Sequence, residues 1–151
     1  MKDFTFNLNG SWQGSWDGKG RIHTNGLETA IAVDPSMNGS GQGTNPDELL
    51  LSALASCYMI TLGIRLNKEG IDYDHVSIRS VGIVTKKDGL HFEKVTHYPV
   101  IYLNRQPSED SLRDKLLAAV HRAEMDCMIA KAVHGNISIS IEPAFEVCVP
   151  N

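Results

Sequence analysis

Apolar and polar positions along the chain follow two rhythms. Phe4, Phe6 and Leu8 alternate with polar neighbours, and this period of two predicts a strand or two over residues 4–16. Asp17-Gly18-Lys19-Gly20 supplies a turn. Residues 21–24 and 29–33 then alternate again around Asn25-Gly26, a pair that suits a tight hairpin because both residues tolerate positive φ. A small antiparallel sheet is expected. Residues 34–44 are too rich in Gly, Ser, Asn and Pro for regular structure and read as a loop of the kind that carries function on a rigid scaffold.

The second rhythm begins at Asn45, which can cap a helix, with Pro46 at its first position and Glu48 placed three residues after the cap to complete a capping box. From Leu49 to Leu66 only Ser52, Ser56, Tyr58, Thr61 and Arg65 interrupt an apolar run. A helix that apolar on all sides is covered on most of them. Its roughly 22 residues, at about 1.5 Å each, would reach across a bilayer, but Arg65 and the acidic start argue against a span. The helix stops at Lys68-Glu69-Gly70. Residues 71–86 and 90–103 then alternate as two long strands joined at Lys87-Asp88-Gly89.

Pro107-Ser108-Glu109 opens a further helix, whose apolar positions Leu112, Leu116, Ala119, Val120 and Ala123 recur at three and four, with acids at its start and basic residues towards its end. A shorter helical segment over residues 126–133 leads through Gly135 to a strand over residues 137–142. The order is sheet, buried helix, antiparallel sheet, helices, strand, an α+β arrangement in a single domain over residues 1–151. Three amino-terminal strands cannot cover the central helix on every side, so a second copy of the chain is expected to complete its burial.

Composition narrows the partners. The 151 residues are 42% apolar, enough for a real core, and the net charge of −4 comes without any block of like charge. Neither nucleic acid nor an anionic membrane is an expected partner. Met1-Lys2-Asp3-Phe4 leads straight into polar sequence with no secretory signal, which favours a cytoplasmic location. Cys57, Cys127 and Cys148 form neither a CxxC nor an even set, so free thiols or a redox pair are expected rather than structural bridges. His23, His75, His91, His97, His121 and His134 lack paired-ligand spacing, and no metal site is expected; no phosphate loop follows Gly39, Gly41 and Gly43.

The stretch from Gly43-Thr44-Asn45-Pro46-Asp47-Glu48 through Ser56-Cys57-Tyr58 resembles the central-helix signature of the OsmC/Ohr family, the osmotically inducible and organic-hydroperoxide-resistance proteins. In that signature Gly-Thr-Asn-Pro and an acid lead ten residues on to a reactive cysteine. His121-Arg122-Ala123-Glu124-Met125-Asp126-Cys127, followed by Ala132 and Gly135-Asn136-Ile137, is similar to the family's second motif, and with the amino-terminal Trp12 and Trp16 segment the resemblance covers essentially the whole chain.

The resemblance implies an intertwined homodimer with the two central helices at its middle. It implies that Cys57 is a peroxidatic thiol, that Cys127 resolves its sulfenic acid into a disulfide, and that Asp47 holds the place of the family's catalytic glutamate. The substrate class is then small organic hydroperoxides, reduced without a bound cofactor at the expense of a dithiol. Two departures stand out. The family's arginine in the loop before the first motif has no counterpart in residues 34–44, where Met37 holds the matching place, and Cys-Pro-x-Ser becomes Cys127-Met128-Ile129-Ala130.

The uncharged helical neighbours of Cys57 mean that its activating charge must come from another segment or subunit, with Lys19, Arg21 and His23 as candidates. Asp126 is placed to cap the short helix, with Lys131 offsetting its charge. Asp47 also suits a helix start on electrostatic grounds alone, Glu48 reads as a capping residue and Cys148 as structural or incidental. The rival reading is a dimeric scaffold that binds an apolar or thiol-bearing ligand without peroxide turnover.

Overall fold

The computed structural model describes residues 2–106 and 110–148. The chain divides into two compact units, residues 1–50 and 51–151, with the central helix beginning in the first and continuing through the second.

In the first unit β1 (Asn9–Gln13), β2 (Lys19–His23) and β3 (Glu28–Ile31) form an antiparallel sheet in the order β1-β2-β3. Residues 4–8 lie outside it. Their alternation has the period of a strand, but no strand among the described residues pairs with them, and Phe4 and Phe6 are 76% and 90% exposed. The turn at Asn25-Gly26 closes through Thr24 N–H donating to Leu27 O at 2.8 Å. Neither of its central residues uses positive φ; that backbone is found instead at Asp88 and Gly89, with φ of 58° and 104°.

The loop over residues 34–44 contains a short 3-10 turn, Pro35–Met37, capped by the Asp34 carboxylate. Thr44 then pairs back with β3, and Asn45 Oδ1 accepts from Glu48 N–H at 2.8 Å, which makes it the cap of α1 (Pro46–Lys68) as the sequence predicts. Glu48 turns its carboxylate to the Thr44 hydroxyl, 2.7 Å away.

The second unit is built on one stripe of α1. Leu54, Tyr58, Leu62 and Leu66 recur every fourth residue and are almost fully buried, whereas Ile60 and Ile64 on other faces are 64% and 50% exposed. The helix is therefore covered on one side within its own chain, not all round. It is the one helix among the described residues long and apolar enough to cross a membrane, and its Leu stripe is part of a protein core. Gly70, at φ 68°, ends it: Ile71 N–H reaches back to Leu66 O at 3.0 Å, and the Ile71 side chain packs into the same core.

β4 (Tyr73–Thr85) and β5 (His91–Leu103) form a long antiparallel pair, and β5 also pairs in parallel with β6 (Ser138–Ile141) and β7 (Ala144–Val147). The second sheet is mixed rather than antiparallel. Between β5 and β6 the chain makes a helical crossover, and a crossover returns a strand parallel to the one it left. β6 and β7 lie along the same edge of β5, split at Glu142–Pro143. His97 O and Leu103 O both accept from this edge, so the odd-numbered residues of β5 face it, and Pro99 between them has no N–H to offer.

The helix that carries the crossover, α2 (Asp110–Asp126), buries Leu116, Ala119, Val120 and Ala123 against the α1 stripe and β5 residues Ile101 and Leu103. The predicted opening at Pro107-Ser108-Glu109 falls outside the described residues. Its last turn carries no base, contrary to the expected charge gradient, and instead ends in Asp126. α3 (Met128–Ala132) follows after one residue.

Leu62→Ala is expected to lower the free energy of unfolding by about 2–5 kcal/mol, as deletion of a buried side chain does. Asn45→Ala should cost about 1 kcal/mol through the lost cap. Urea midpoints of the two variants against the parent check both.

Candidate thiol site

The junction between α2 and α3 is a single residue, Cys127, and this is the centre of the site. Its φ and ψ of −61° and 113° are extended, so it caps α3, and its sulfur accepts from Ala130 N–H at 3.4 Å. Asp126, which the sequence suggested for this role, is instead the last residue of α2. The capping place falls one residue later because α2 keeps its hydrogen bonding through Cys127 N–H, which donates to Ala123 O at 3.0 Å.

Cys57 comes from the middle of α1, on the turn that also buries Tyr58, and its side chain is within hydrogen-bonding reach of Cys127. Both thiols are free. Cys127 is buried, at 2% exposure, while Cys57 keeps partial access to solvent. Partial burial pushes the Cys57 thiol up, but the Ile129 amide, the Cys127 thiol, the Met128 amide and the Thr61 hydroxyl together outweigh it, and its pKa ends below the ordinary cysteine value. For Cys127 burial wins. With the Ala130 amide pulling down and the Cys57 sulfur pushing up, its pKa rises to about 11.

The first proton to leave the pair therefore comes from Cys57, and the retained Cys127 S–H donates to the thiolate. The donors that lower the Cys57 pKa within the chain come from another segment, the first amides of α3, with no side-chain cation among them. Arg21 is committed within its own unit, 3.5 Å from Glu28, and the place of the family arginine is taken by Met37, whose carbonyl accepts the Trp16 indole N–H at 2.8 Å.

Arg65 has a role that sequence reasoning did not assign. Its guanidinium pairs with Asp126, Nε donating to Oδ2 at 2.6 Å. This ties α1 to the end of α2 and compensates the one carboxylate next to the capping cysteine, a task expected of Lys131, which lies exposed. The signal was present, since a base in an apolar run needs an acid partner. Beneath the site Tyr58 stacks on the buried His97, centroids 5.5 Å apart, and donates to Val120 O at 3.2 Å. Burial lowers the His97 pKa, and Ser80 Oγ lies 2.6 Å from its Nδ1.

Asp47 stands in the first turn of α1, partly buried, ten residues ahead of Cys57 on the same helix. Ten residues of helix rise about 15 Å, so Asp47 does not serve the Cys57 of its own chain directly.

Two sheets, a long helix between them in sequence, and a pair of thiols at the tip of a short helix define an OsmC-type α+β protein. The family model described as OsmC-like protein matches residues 39–142, and the chain belongs to the OsmC/Ohr family. It is 35% identical over 150 residues to the uncharacterized protein YmaD of Bacillus subtilis, covering 97% of this chain and 98% of that one. Among solved structures it superposes on an organic hydroperoxide resistance protein OsmC from Legionella pneumophila with a TM-score of 0.73 and 19% identity, covering 94% of this chain and 99% of the other. Against the organic hydroperoxide resistance protein OhrB of Bacillus subtilis the TM-score is 0.70 and the identity 24%, over 93% and 98% of the two chains. At these identities the structural likeness establishes the fold alone.

The opposed shifts set a pH signature. Cys57, depressed in the fold, contributes stability above the unfolded thiol value of about 8.5 and loses it as pH falls through its folded pKa. Cys127, raised, contributes below about 8.5 and loses it as pH climbs towards 11. Denaturation midpoints should thus peak near pH ~8.5, and Cys127→Ser should flatten the alkaline fall. Alkylation of Cys57 should reach half its maximal rate below the pH seen for a free thiol. Cys127→Ala, which removes an S–H donor, should move that midpoint up by about 0.5–1 in pH, whereas Cys127→Ser should hold it.

Proposed function

We propose that the protein is a thiol-dependent peroxidase that reduces small organic hydroperoxides. The observation that carries this reading is the pairing of an accessible, low-pKa Cys57 with a buried, high-pKa Cys127 in mutual reach. The Cys57 thiolate attacks the terminal oxygen of the hydroperoxide, a sulfur–oxygen bond forms as the O–O bond breaks, and the departing alkoxide takes a proton to leave as alcohol. The resulting sulfenic acid condenses with the Cys127 thiol; a disulfide forms and the hydroxyl departs with the Cys127 proton as water. A dithiol reductant then returns two electrons and two protons. No bound cofactor enters the cycle.

The α3 amides suit this sequence because they stabilise negative charge on Cys57 without placing a base where an apolar alkyl chain must lie. Asp47 then acts through an intermediary or on the Cys57 of a second copy. In this reading a homodimer forms through α1, whose Ile60 and Ile64 are apolar and uncovered within the chain.

Reduced protein treated with micromolar cumene hydroperoxide should lose two thiols and gain one Cys57–Cys127 disulfide per chain, faster than with hydrogen peroxide. Cys57→Ser should remove essentially all turnover, and Cys127→Ser should accumulate a dimedone-reactive sulfenic acid on Cys57. Slow oxidation indifferent to Cys57→Ser would overturn the reading in favour of a ligand-binding scaffold. Ile60→Glu should shift the sedimentation coefficient from dimer to monomer.

A further inference from the structure

On a different part of the second unit, the geometry points to a divalent transition-metal site of the zinc type, formed by Asp74, His75 and Cys148. A carboxylate oxygen, an imidazole nitrogen and a thiol sulfur lie there within 4.8 Å of one another. That mixed donor set suits zinc and the late first-row cations, and a thiolate disfavours magnesium and calcium. The sequence hides the site. Asp74 and His75 are adjacent at the start of β4, and Cys148 lies more than seventy residues on, so no ligand spacing connects them.

Local structure brings them together. The β4–β5 register shifts between Tyr73 and His75, leaving Asp74 as an extra residue, and such bulges re-aim side chains. The His75 ring is stacked on Tyr102, 4.2 Å between centroids and 8° between planes, so its ring nitrogens are directed along the ring plane and away from the stacked face. Cys148 arrives from beyond β7, on the edge of β5 opposite β4, held by its N–H donating to Leu103 O at 2.8 Å. The three donors therefore meet across β5.

One carboxylate here faces two protonated partners. Asp74 Oδ2 lies 2.7 Å from His75 Nδ1, and the Asp74 carboxylate also accepts from the Cys148 thiol. A single divalent cation replaces both protons, turning an N–H and an S–H donor into ligands. Tetrahedral coordination separates such donors by about 3.3–3.6 Å, a change of an ångström or so for these side chains. Asp74 and His75 are each 54% exposed, which leaves the fourth position to water. The ion would clip the segment after β7 to the start of β4, apart from the thiol chemistry.

The test uses cobalt(II) as a spectroscopic substitute. In a reduced Cys57→Ser/Cys127→Ser variant, where Cys148 is the remaining thiol, one equivalent of cobalt should produce a thiolate-to-cobalt charge-transfer band that zinc abolishes. Adding Cys148→Ser should remove the band, and His75→Ala should weaken cobalt binding at least tenfold. In the otherwise native chain, zinc should raise the melting temperature of the parent and not of Cys148→Ser, which keeps the question decidable if the double variant does not fold. Absence of the band in a folded double variant, or the same zinc-induced shift with and without Cys148, would overturn the assignment.

Discussion

Packing of the Tyr58, Leu62 and Leu66 stripe against α2 and β5 is the constraint on which the second unit rests. Each of these side chains contributes about 1.5–3 kcal/mol by leaving water. Because they recur every fourth residue, they fix the rotation of α1 about its own axis as well as its position. That rotation settles where Cys57 points. A residue on the opposite face of the helix would never meet α3, however well the motif around it were kept.

The chemistry follows from a second consequence of the same packing. α2 buries its Leu116 to Ala123 face on α1 and ends beside Cys57, so the first amides of α3 are presented to that sulfur. One thiol lies among backbone donors and the other is sealed in the interior, so a chemically identical pair is shifted in opposite directions, Cys57 down and Cys127 up. Arg65 supports the arrangement from a distance. By holding Asp126 it compensates the acid at the α2–α3 junction.

Much of the scaffold could be read along the chain. The Asn45 cap, the apolar positions of α2 and the long hairpin at Asp88-Gly89 each depend on neighbours a few residues away, which the local pattern records. Residues 4–8 misled because alternation reports a capacity to pair and not the presence of a partner. The mixed second sheet was misread because strand direction depends on the crossover through α2 and α3, and β7 went unnoticed because it is a short strand behind a proline.

The family, the central helix and the two cysteines worth watching were all legible in one dimension, because a capped helix start and a fixed ten-residue spacing are local. It took the folded chain to show that Cys127 caps α3, that the first amides of α3 reach Cys57, and that Arg65 answers Asp126. Each of these is an encounter between segments about sixty or more residues apart, or turns on where a helix ends in space, and a charge or dipole acts through distance in the folded molecule rather than through separation along the chain.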